Sequence, residues 1–85
     1  MVQVVVPDIL AAQAEGRQRF DVQATTVGEA LRALPVADLI VNERGEWGRH
    51  LSVFVDDRDA RELGGPACPL TGVREVLIVA MLYRG

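Results

Sequence analysis

The fold is decided by the end of the chain, which reads EVLIVAMLYRG over residues 75–85. Val76–Met81 is apolar at every position, and a run without polar alternation is typical of a strand that is buried on both faces. We therefore predict the last strand over Val76–Met81, in the middle of a sheet. Beyond it we expect a flexible tail at about 82–85. A terminal glycine such as Gly85 has no β-carbon to hinder chemistry at its carboxylate.

A second strand of the same kind opens the chain. Residues 2–6 read VQVVV, and this β-branched, nearly continuous run also predicts a central position in the sheet. Residues 11–16 have the small and polar composition of a turn or short loop. Over 17–23, Phe20 and Val22 alternate with polar residues, which indicates a half-exposed strand that forms a hairpin with the first.

The clearest helix begins at Thr26. The Thr26 side chain can accept a hydrogen bond from the N–H of Glu29, and the Glu29 side chain can reach back to the N–H of Thr26, as in a capping box. The spacing i, i+3, i+4, i+7 then predicts one apolar face packed on a core, formed by Val27, Ala30, Leu31 and Leu34. Pro35 ends the helix, which is therefore about three turns long at most.

Between this helix and the last strand the sequence is less regular. Val36–Val41 is ambiguous between a buried loop, a short helical turn and a brief strand. Residues 42–46 and 56–59 have the polar composition of turns. Only a short strand or an irregular crossing fits at 60–63, because glycines and a proline follow it.

One further strand is predicted over Leu51–Val55. Alternation places Val53 and Val55 on one face of it, and Ser52 and Phe54 on the other. Phe54 then belongs either to an apolar docking patch on an exposed sheet face or to a core packed under the helix.

The order strand, strand, capped helix and further strands predicts an α+β domain in which one main helix covers a mixed sheet of four to five strands. The two most apolar strands come from opposite ends of the chain, and burial is best served by placing both in the middle of that sheet. This arrangement is a β-grasp, the ubiquitin-like fold. We expect residues 1–85 to form one such domain, because the chain is long enough for only a single modest core.

Composition excludes several classes of function. The chain is 49% hydrophobic and 25% charged, which is too apolar for a disordered segment. Its net charge of −3 argues against a nucleic-acid surface. The sequence shows neither a signal peptide nor an apolar run long enough to span a membrane, and a single cysteine fits a reducing compartment, so a cytoplasmic location is expected.

Three side chains with distinctive chemistry stand alone. Cys68 lies in a loop without a cationic neighbour in the sequence that would activate its thiol. His50 has no partner arrangement for catalysis or metal binding, and we expect it where a strand begins. Trp47 fits either a lid on the edge of the core or an exposed contact. An enzyme that acts alone is thus the least supported class, and no metal or bound cofactor is expected.

The chain resembles the ubiquitin-like sulfur carrier proteins of the ThiS and MoaD type over nearly its whole length. Each matching segment alone is common in other folds, but together they occur in the order and spacing of that family. The segments are Val2–Pro7, Thr26–Leu31, Asn42–Glu46, Val53–Val55, Asp57–Leu63, Pro69–Leu70 and Arg74–Val79.

The resemblance implies a protein co-substrate whose reactive group is the carboxylate of Gly85. A partner activating enzyme would adenylate that carboxylate with ATP, a sulfur donor would displace AMP to leave a thiocarboxylate, and a synthase would accept the sulfur. The partner-binding residues predicted on this basis are Phe54, Val79, Met81, Leu82, Tyr83 and Arg84. For Met81 and Tyr83 the alternatives are packing in the core and a loose position on the surface.

The sequence departs from the family at Arg84, which takes the place of the penultimate glycine. Three explanations stay open: the partner has a wider or acidic tunnel, the chain is a carrier that is never activated, or the natural chain ends differently. A replaced Asn-Gly turn at Asp56-Asp57 is a second, smaller departure. The pathway that receives the sulfur is open as well, between molybdopterin, thiamine, an amino acid, tRNA thiolation and a specialised metabolite. The rival function is a β-grasp binding module with an inert tail.

Overall fold

The computed structural model describes residues 1–80, which fold into a five-stranded sheet with three short α-helices. Three 3-10 turns lie at Ala12–Ala14, Ala60–Leu63 and Gly65–Ala67. The main elements, in chain order, are β1 (Val2–Val5), α1 (Asp8–Ala11), β2 (Arg19–Val22), α2 (Val27–Arg32), α3 (Ala37–Ile40), β3 (Leu51–Val55), β4 (Arg58–Asp59) and β5 (Glu75–Ala80).

The sheet has the strand order β2-β1-β5-β3-β4. The first and last strands lie side by side and parallel, with Val4 opposite Val76. The other neighbouring strands are antiparallel, including the predicted pair of β1 and β2. The prediction that both terminal strands are interior is therefore confirmed. The last strand ends at Ala80 in the described residues, and Met81 lies outside them.

The core lies between one face of the sheet and α2. Each central strand turns alternate side chains to this face, and Val4, Val53 and Val76 are fully buried there. Val27 and Leu31 of α2 are fully buried against them, together with Ala30 and, just beyond the helix, Leu34. The predicted apolar stripe of the helix is confirmed.

The capping box at the start of α2 is confirmed in one half and wrong in the other. Thr26 has extended backbone angles, and its Oγ1 accepts a hydrogen bond from the N–H of Glu29 at 3.2 Å. The Glu29 carboxylate reaches Thr25 instead of Thr26, accepting from the Thr25 hydroxyl at 2.7 Å and from its N–H at 3.4 Å. Thr25 donates two hydrogen bonds to that carboxylate, from its hydroxyl and its N–H, whereas Thr26 could donate only one from its N–H.

Two other segments differ from the sequence prediction. Asp8–Ala14 is helical, although a turn or loop was predicted from Ala11 onward. Pro7 is the residue just before this helix, and Asp8 stabilises its first turn. Ala11, the last residue of α1, is buried in the core. Residues 60–63 form a 3-10 turn, which corresponds to the irregular crossing and not to the strand. Val36–Val41 takes the helical alternative in α3.

Candidate partner-binding site

The last strand that the structure describes has a neighbour on each side. β5 lies between β1 and β3, and Ala80, its last described residue, is opposite Leu51 at the start of β3. The ladder of five residue pairs with β3 fixes the direction of the strand up to this point. The predicted site residues Met81, Leu82, Tyr83, Arg84 and Gly85 lie outside the described residues.

The face of the sheet opposite α2, which we call the outer face, carries an apolar row across three strands. Leu77 of β5 is opposite both Val5 of β1 and Phe54 of β3. Val79, one pleat further along β5, is opposite Ser52. All of these side chains are partly exposed, and none belongs to the buried core. We call Val5, Phe54, Leu77 and Val79 the outer patch.

This register decides between the two alternatives for Phe54. Val53 and Val55 of the same strand are buried, so Phe54 between them points to the opposite face of the sheet. Packing under the helix is therefore wrong, and Phe54 lies on the exposed face. Val79 lies on that face as well.

Sequence reasoning missed Val5 and Leu77 as members of this patch. Both sit in strands that are apolar at nearly every position, so periodicity could not assign them to a face. The pairing of β1 with β5 supplies the missing information, because Val4 opposite Val76 puts Val5 beside Leu77. A strand between two neighbours must have one side chain in two on the outer face, and this rule could have identified both.

Charged residues border the outer patch. In the register of the sheet, Arg19 of β2 is opposite Val5, and Asp59 of β4 is opposite Phe54. The next row toward the start of β5 is polar, with Asp21, Gln3 and Glu75 on adjacent strands. An apolar centre with a polar border is the usual composition of a protein-binding surface.

The turn between β3 and β4 is tight and has an unusual sequence. Asp56 and Asp57 form the two-residue loop between Val55 and Arg58, with φ values of 45° and 74°. Positive φ at both loop residues is the type I′ requirement that Asn-Gly usually meets. The Asp56 carboxylate also accepts hydrogen bonds from the N–H groups of Arg74 and Glu75, at 3.0–3.3 Å. Asp56 thus joins the turn to the start of β5.

The remaining candidates are placed away from any catalytic arrangement in residues 1–80. Cys68 is a buried thiol whose Sγ is 3.5 Å from the carbonyl oxygen of Pro69. His50 is exposed immediately before β3, where the sequence predicted it. Trp47 is buried at the edge of the core, which is the lid alternative.

The described part of the chain contains neither a cluster of metal ligands nor a membrane-spanning helix. No group of three or more His, Cys, Asp or Glu side chains in residues 1–80 is placed to hold a metal ion. None of the helices described there is both long and apolar enough to cross a membrane.

Solved structures similar to this protein support the fold, whereas the comparisons with protein families and curated proteins found no match. No protein-family model matches the chain, and no curated protein matches it. A chain in the crystal structure of the Amycolatopsis orientalis BexX/CysO complex is 25% identical, with a TM-score of 0.82 over 100% of both chains.

Two further structures are similar in fold. CysO of Mycobacterium tuberculosis is 22% identical over 96% of this chain and 100% of its own, with a TM-score of 0.82. SAMP1 of Haloferax volcanii is 23% identical over 99% of this chain and 98% of its own, with a TM-score of 0.69. The fold is a ubiquitin-like β-grasp. The fold predicted from the sequence is thereby confirmed.

Proposed function

We propose that this protein is a sulfur carrier whose C-terminal Gly85 carboxylate is activated by a partner enzyme and converted to a thiocarboxylate. The observation that carries the proposal is the full-length similarity to a chain of the BexX/CysO complex, together with the resemblance of the sequence segments to sulfur carriers. The position of β5 supports it, because a strand anchored on both sides leads directly to the terminal residues.

The chemistry assigned to Gly85 requires a second protein. The carboxylate oxygen attacks the α-phosphorus of ATP, and pyrophosphate leaves to give an acyl adenylate. A hydrosulfide ion from the sulfur donor then attacks the acyl carbon, AMP leaves with the bonding electrons, and loss of the thiol proton gives the thiocarboxylate. The carrier supplies the acyl group and the docking surface, while the partner supplies the catalytic groups. The sulfur of the thiocarboxylate finally attacks an electrophilic acceptor held by a synthase, and hydrolysis of the resulting thioester leaves the sulfur on the acceptor and regenerates the Gly85 carboxylate.

The outer patch is the surface that we assign to the activating enzyme. Its four side chains are partly exposed, they lie on adjacent strands, and β5 contributes two of them. An enzyme docked there would hold the same strand that leads to Gly85. An aromatic side chain such as Phe54, surrounded by aliphatic neighbours, is a typical anchor of a protein interface.

The proposal is tested by incubating the full chain with its activating enzyme, ATP and a sulfur donor. We expect the intact mass to rise by the difference between one sulfur and one oxygen. Deletion of Gly85 should abolish the rise, and Arg84→Gly, which restores two terminal glycines, should retain it. An unchanged mass of the wild-type chain, with an enzyme shown to be active on another carrier and shown to bind this one, would refute the proposal.

A β-grasp binding module with an inert tail is the second candidate. The outer patch supports this function too, because an apolar surface of this kind is typical of a protein-binding module. The two functions separate in a Gly85 deletion variant. A binding module keeps partner affinity and biological function without Gly85, whereas a carrier keeps affinity and loses function.

A further inference from the structure

The edge strand β2 has a neighbouring strand on one side. β1 lies beside it, and the described part of the chain contributes no strand on its other side. The N–H of Val6 donates to the carbonyl oxygen of Gln18 at 2.8 Å, so the backbone of Gln18, and by alternation that of Phe20, faces β1. The N–H and C=O groups of Arg19 and Asp21 therefore point away from the sheet.

β2 is the longer of the two edges of the sheet. The opposite edge, β4, has two residues and runs directly into a 3-10 turn at Ala60–Leu63, whereas β2 has four residues. Many natural edge strands are very short, contain proline or are bulged, and these features prevent pairing with another chain. β2 reads RFDV, contains no proline and pairs with β1 without a bulge. It is therefore the edge of the sheet that is suited to accept another strand.

The two residues whose backbone groups point outward carry opposite charges. Arg19 and Asp21 are both exposed, and their pairing with Val5 and Gln3 places both side chains on the outer face. Opposite charges on directly opposed residues of two antiparallel strands attract each other, and like charges repel. A strand with a cation and an anion two residues apart is thus complementary to a second copy of itself that runs in the opposite direction.

One register makes this pairing favourable. If Phe20 of one copy lies opposite Phe20 of the other, then Arg19 of each copy is opposite Asp21 of the other. A shift of two residues in either direction places Arg19 opposite Arg19, or Asp21 opposite Asp21. A shift of one residue opposes outward-pointing backbone groups to groups that are already bonded to β1. Charge and hydrogen bonding therefore select the same register.

The outward-pointing carbonyl of Arg19 already has one side-chain contact. The Nε–H of Arg17 donates to this oxygen at 3.1 Å, while the Arg17 guanidinium carbon lies 4.9 Å from the centroid of the Phe20 ring. A carbonyl oxygen has two lone pairs and can accept two hydrogen bonds. The Arg17 contact thus leaves one lone pair for the N–H of Asp21 from a second copy.

Open space borders this edge on the helix side of the sheet. A recess of about 260 Å³ lies at one end of β2 and is lined in part by Phe20 and Pro35. Another, of about 280 Å³, lies at the other end and is lined in part by Gln23 and Ala33. The described elements therefore leave the edge accessible to a second strand.

We propose that two copies of this protein associate through antiparallel pairing of their β2 strands, with a two-fold axis at Phe20. Arg19 of each copy exchanges both backbone hydrogen bonds with Asp21 of the other, and the two side chains form an ion pair across the strands. The two five-stranded sheets then join into one continuous sheet. The outer patch of each copy stays uncovered. The association concerns the isolated chain and does not depend on the proposed function.

Sedimentation and amide hydrogen exchange of the full chain test the proposal across a concentration series. A contact of four residues on each side is small, so we expect a monomer in dilute solution and a dimer at roughly 1 mM. In the dimer, the N–H groups of Arg19 and Asp21 should exchange more slowly with solvent. The N–H of Arg58, on the other edge of the sheet, should exchange as it does in the monomer.

A charge swap distinguishes this interface from any other. Arg19→Asp and Asp21→Arg each place like charges opposite one another and should weaken self-association by about tenfold or more. An equimolar mixture of the two variants should form a heterodimer, because every opposed pair then joins a cation to an anion. The double variant should dimerise as the wild type does. Arg44→Asp is the matched control, since it makes the same change of charge at an exposed residue far from β2 in the sequence, and it should leave self-association unchanged.

Three results would overturn the proposal. The first is a wild-type chain that stays monomeric at the highest concentration of the series. The second is a dimer that Arg19→Asp weakens no more than Arg44→Asp does. The third is a mixture of the two β2 variants, each shown to be folded by circular dichroism, that associates no better than either variant alone. The measurements need no activating enzyme, so each of these results leaves the proposed function intact.

Discussion

Phe54 and Leu77 are directly opposite each other on the antiparallel strands β3 and β5, on the face of the sheet that is turned away from α2. Val5 continues the row on the other side of Leu77. Strands from the beginning, middle and end of the chain therefore contribute adjacent apolar side chains to one surface. The parallel contact between β1 and β5 is what brings them together.

The first prediction concerns this surface. Phe54→Asp should weaken binding of the activating enzyme by tenfold or more, since loss of an interface anchor typically costs 2 kcal/mol or above. The free energy of unfolding should fall by only about 1 kcal/mol, because Phe54 is partly exposed and outside the core. Calorimetric titration and urea denaturation measure the two effects separately.

The control for Phe54→Asp is Ile9→Asp, which places the same charge at an exposed apolar residue of α1. It should leave the affinity unchanged. Equal losses of affinity in the two variants would mean that the effect is one of net charge, and the outer patch would lose its assigned role.

The second prediction concerns a close contact between two glycines. A Cβ on Gly45 would come within 2.9 Å of the Cα of Gly28 in α2, and Gly45 also has a φ of +77°. Gly45→Ala should therefore destabilise the protein through both backbone strain and overlap, by about 3 kcal/mol. Gly16→Ala isolates the strain, because Gly16 has a similar φ of +83° and open space around it. It should cost about 1 kcal/mol in urea denaturation; equal costs would show that the packing of the turn against α2 is unimportant.

The Gly45 contact also illustrates what the sequence could and could not provide. Residues 42–46 were predicted correctly as a turn, because Asn42 and Gly45 are typical turn residues; Asn42 Oδ1 accepts from the N–H groups of Arg44 and Glu46. That this turn packs against Gly28 is a tertiary relationship without a local signal. The central positions of β1 and β5 could be predicted because each strand is a continuous or nearly continuous apolar run, which is a local feature of the sequence.

Local sequence patterns did not show which face of the sheet each of these side chains occupies. Phe54 remained ambiguous until the burial of Val53 and Val55 placed it on the outer face, and Val5 and Leu77 were missed because their strands lack polar alternation. The contact between Val41 and Trp47, an isolated bridge, had no local signal in the sequence either. The chemistry proposed for the terminal residues, in contrast, rests on the sequence alone, because residues 81–85 lie outside the described part of the chain.

The third prediction compares the two aspartates of the β3–β4 turn. Asp57→Gly should raise the free energy of unfolding by about 0.5 kcal/mol, because glycine adopts the positive φ of 74° without strain. The same substitution at Asp56 should lower it by about 1–3 kcal/mol, because the carboxylate that accepts from Arg74 and Glu75 is lost. Thermal unfolding should resolve the difference, at about 4–8 °C per kcal/mol for a domain of this size. Effects of the same sign would contradict the role given to Asp56.

The fourth prediction concerns the start of α2. Thr26→Ala removes the hydroxyl that accepts from Glu29 and should cost about 1 kcal/mol in urea denaturation. Thr26→Ser keeps the acceptor and should cost much less. If serine and alanine destabilise equally, the lost stability comes from the Thr26 methyl group and the cap contributes little.

The central claim is that Gly85 is the acyl group on which a thiocarboxylate forms. The most direct measurement is intact mass spectrometry of the full chain after incubation with its activating enzyme, ATP and a sulfur donor, followed by fragmentation to locate the change. The account predicts one oxygen replaced by one sulfur, confined to the fragment that contains Gly85 and absent when ATP is omitted. A wild-type chain that binds the active enzyme and keeps its original mass, or a sulfur that fragmentation assigns to Cys68, would contradict it.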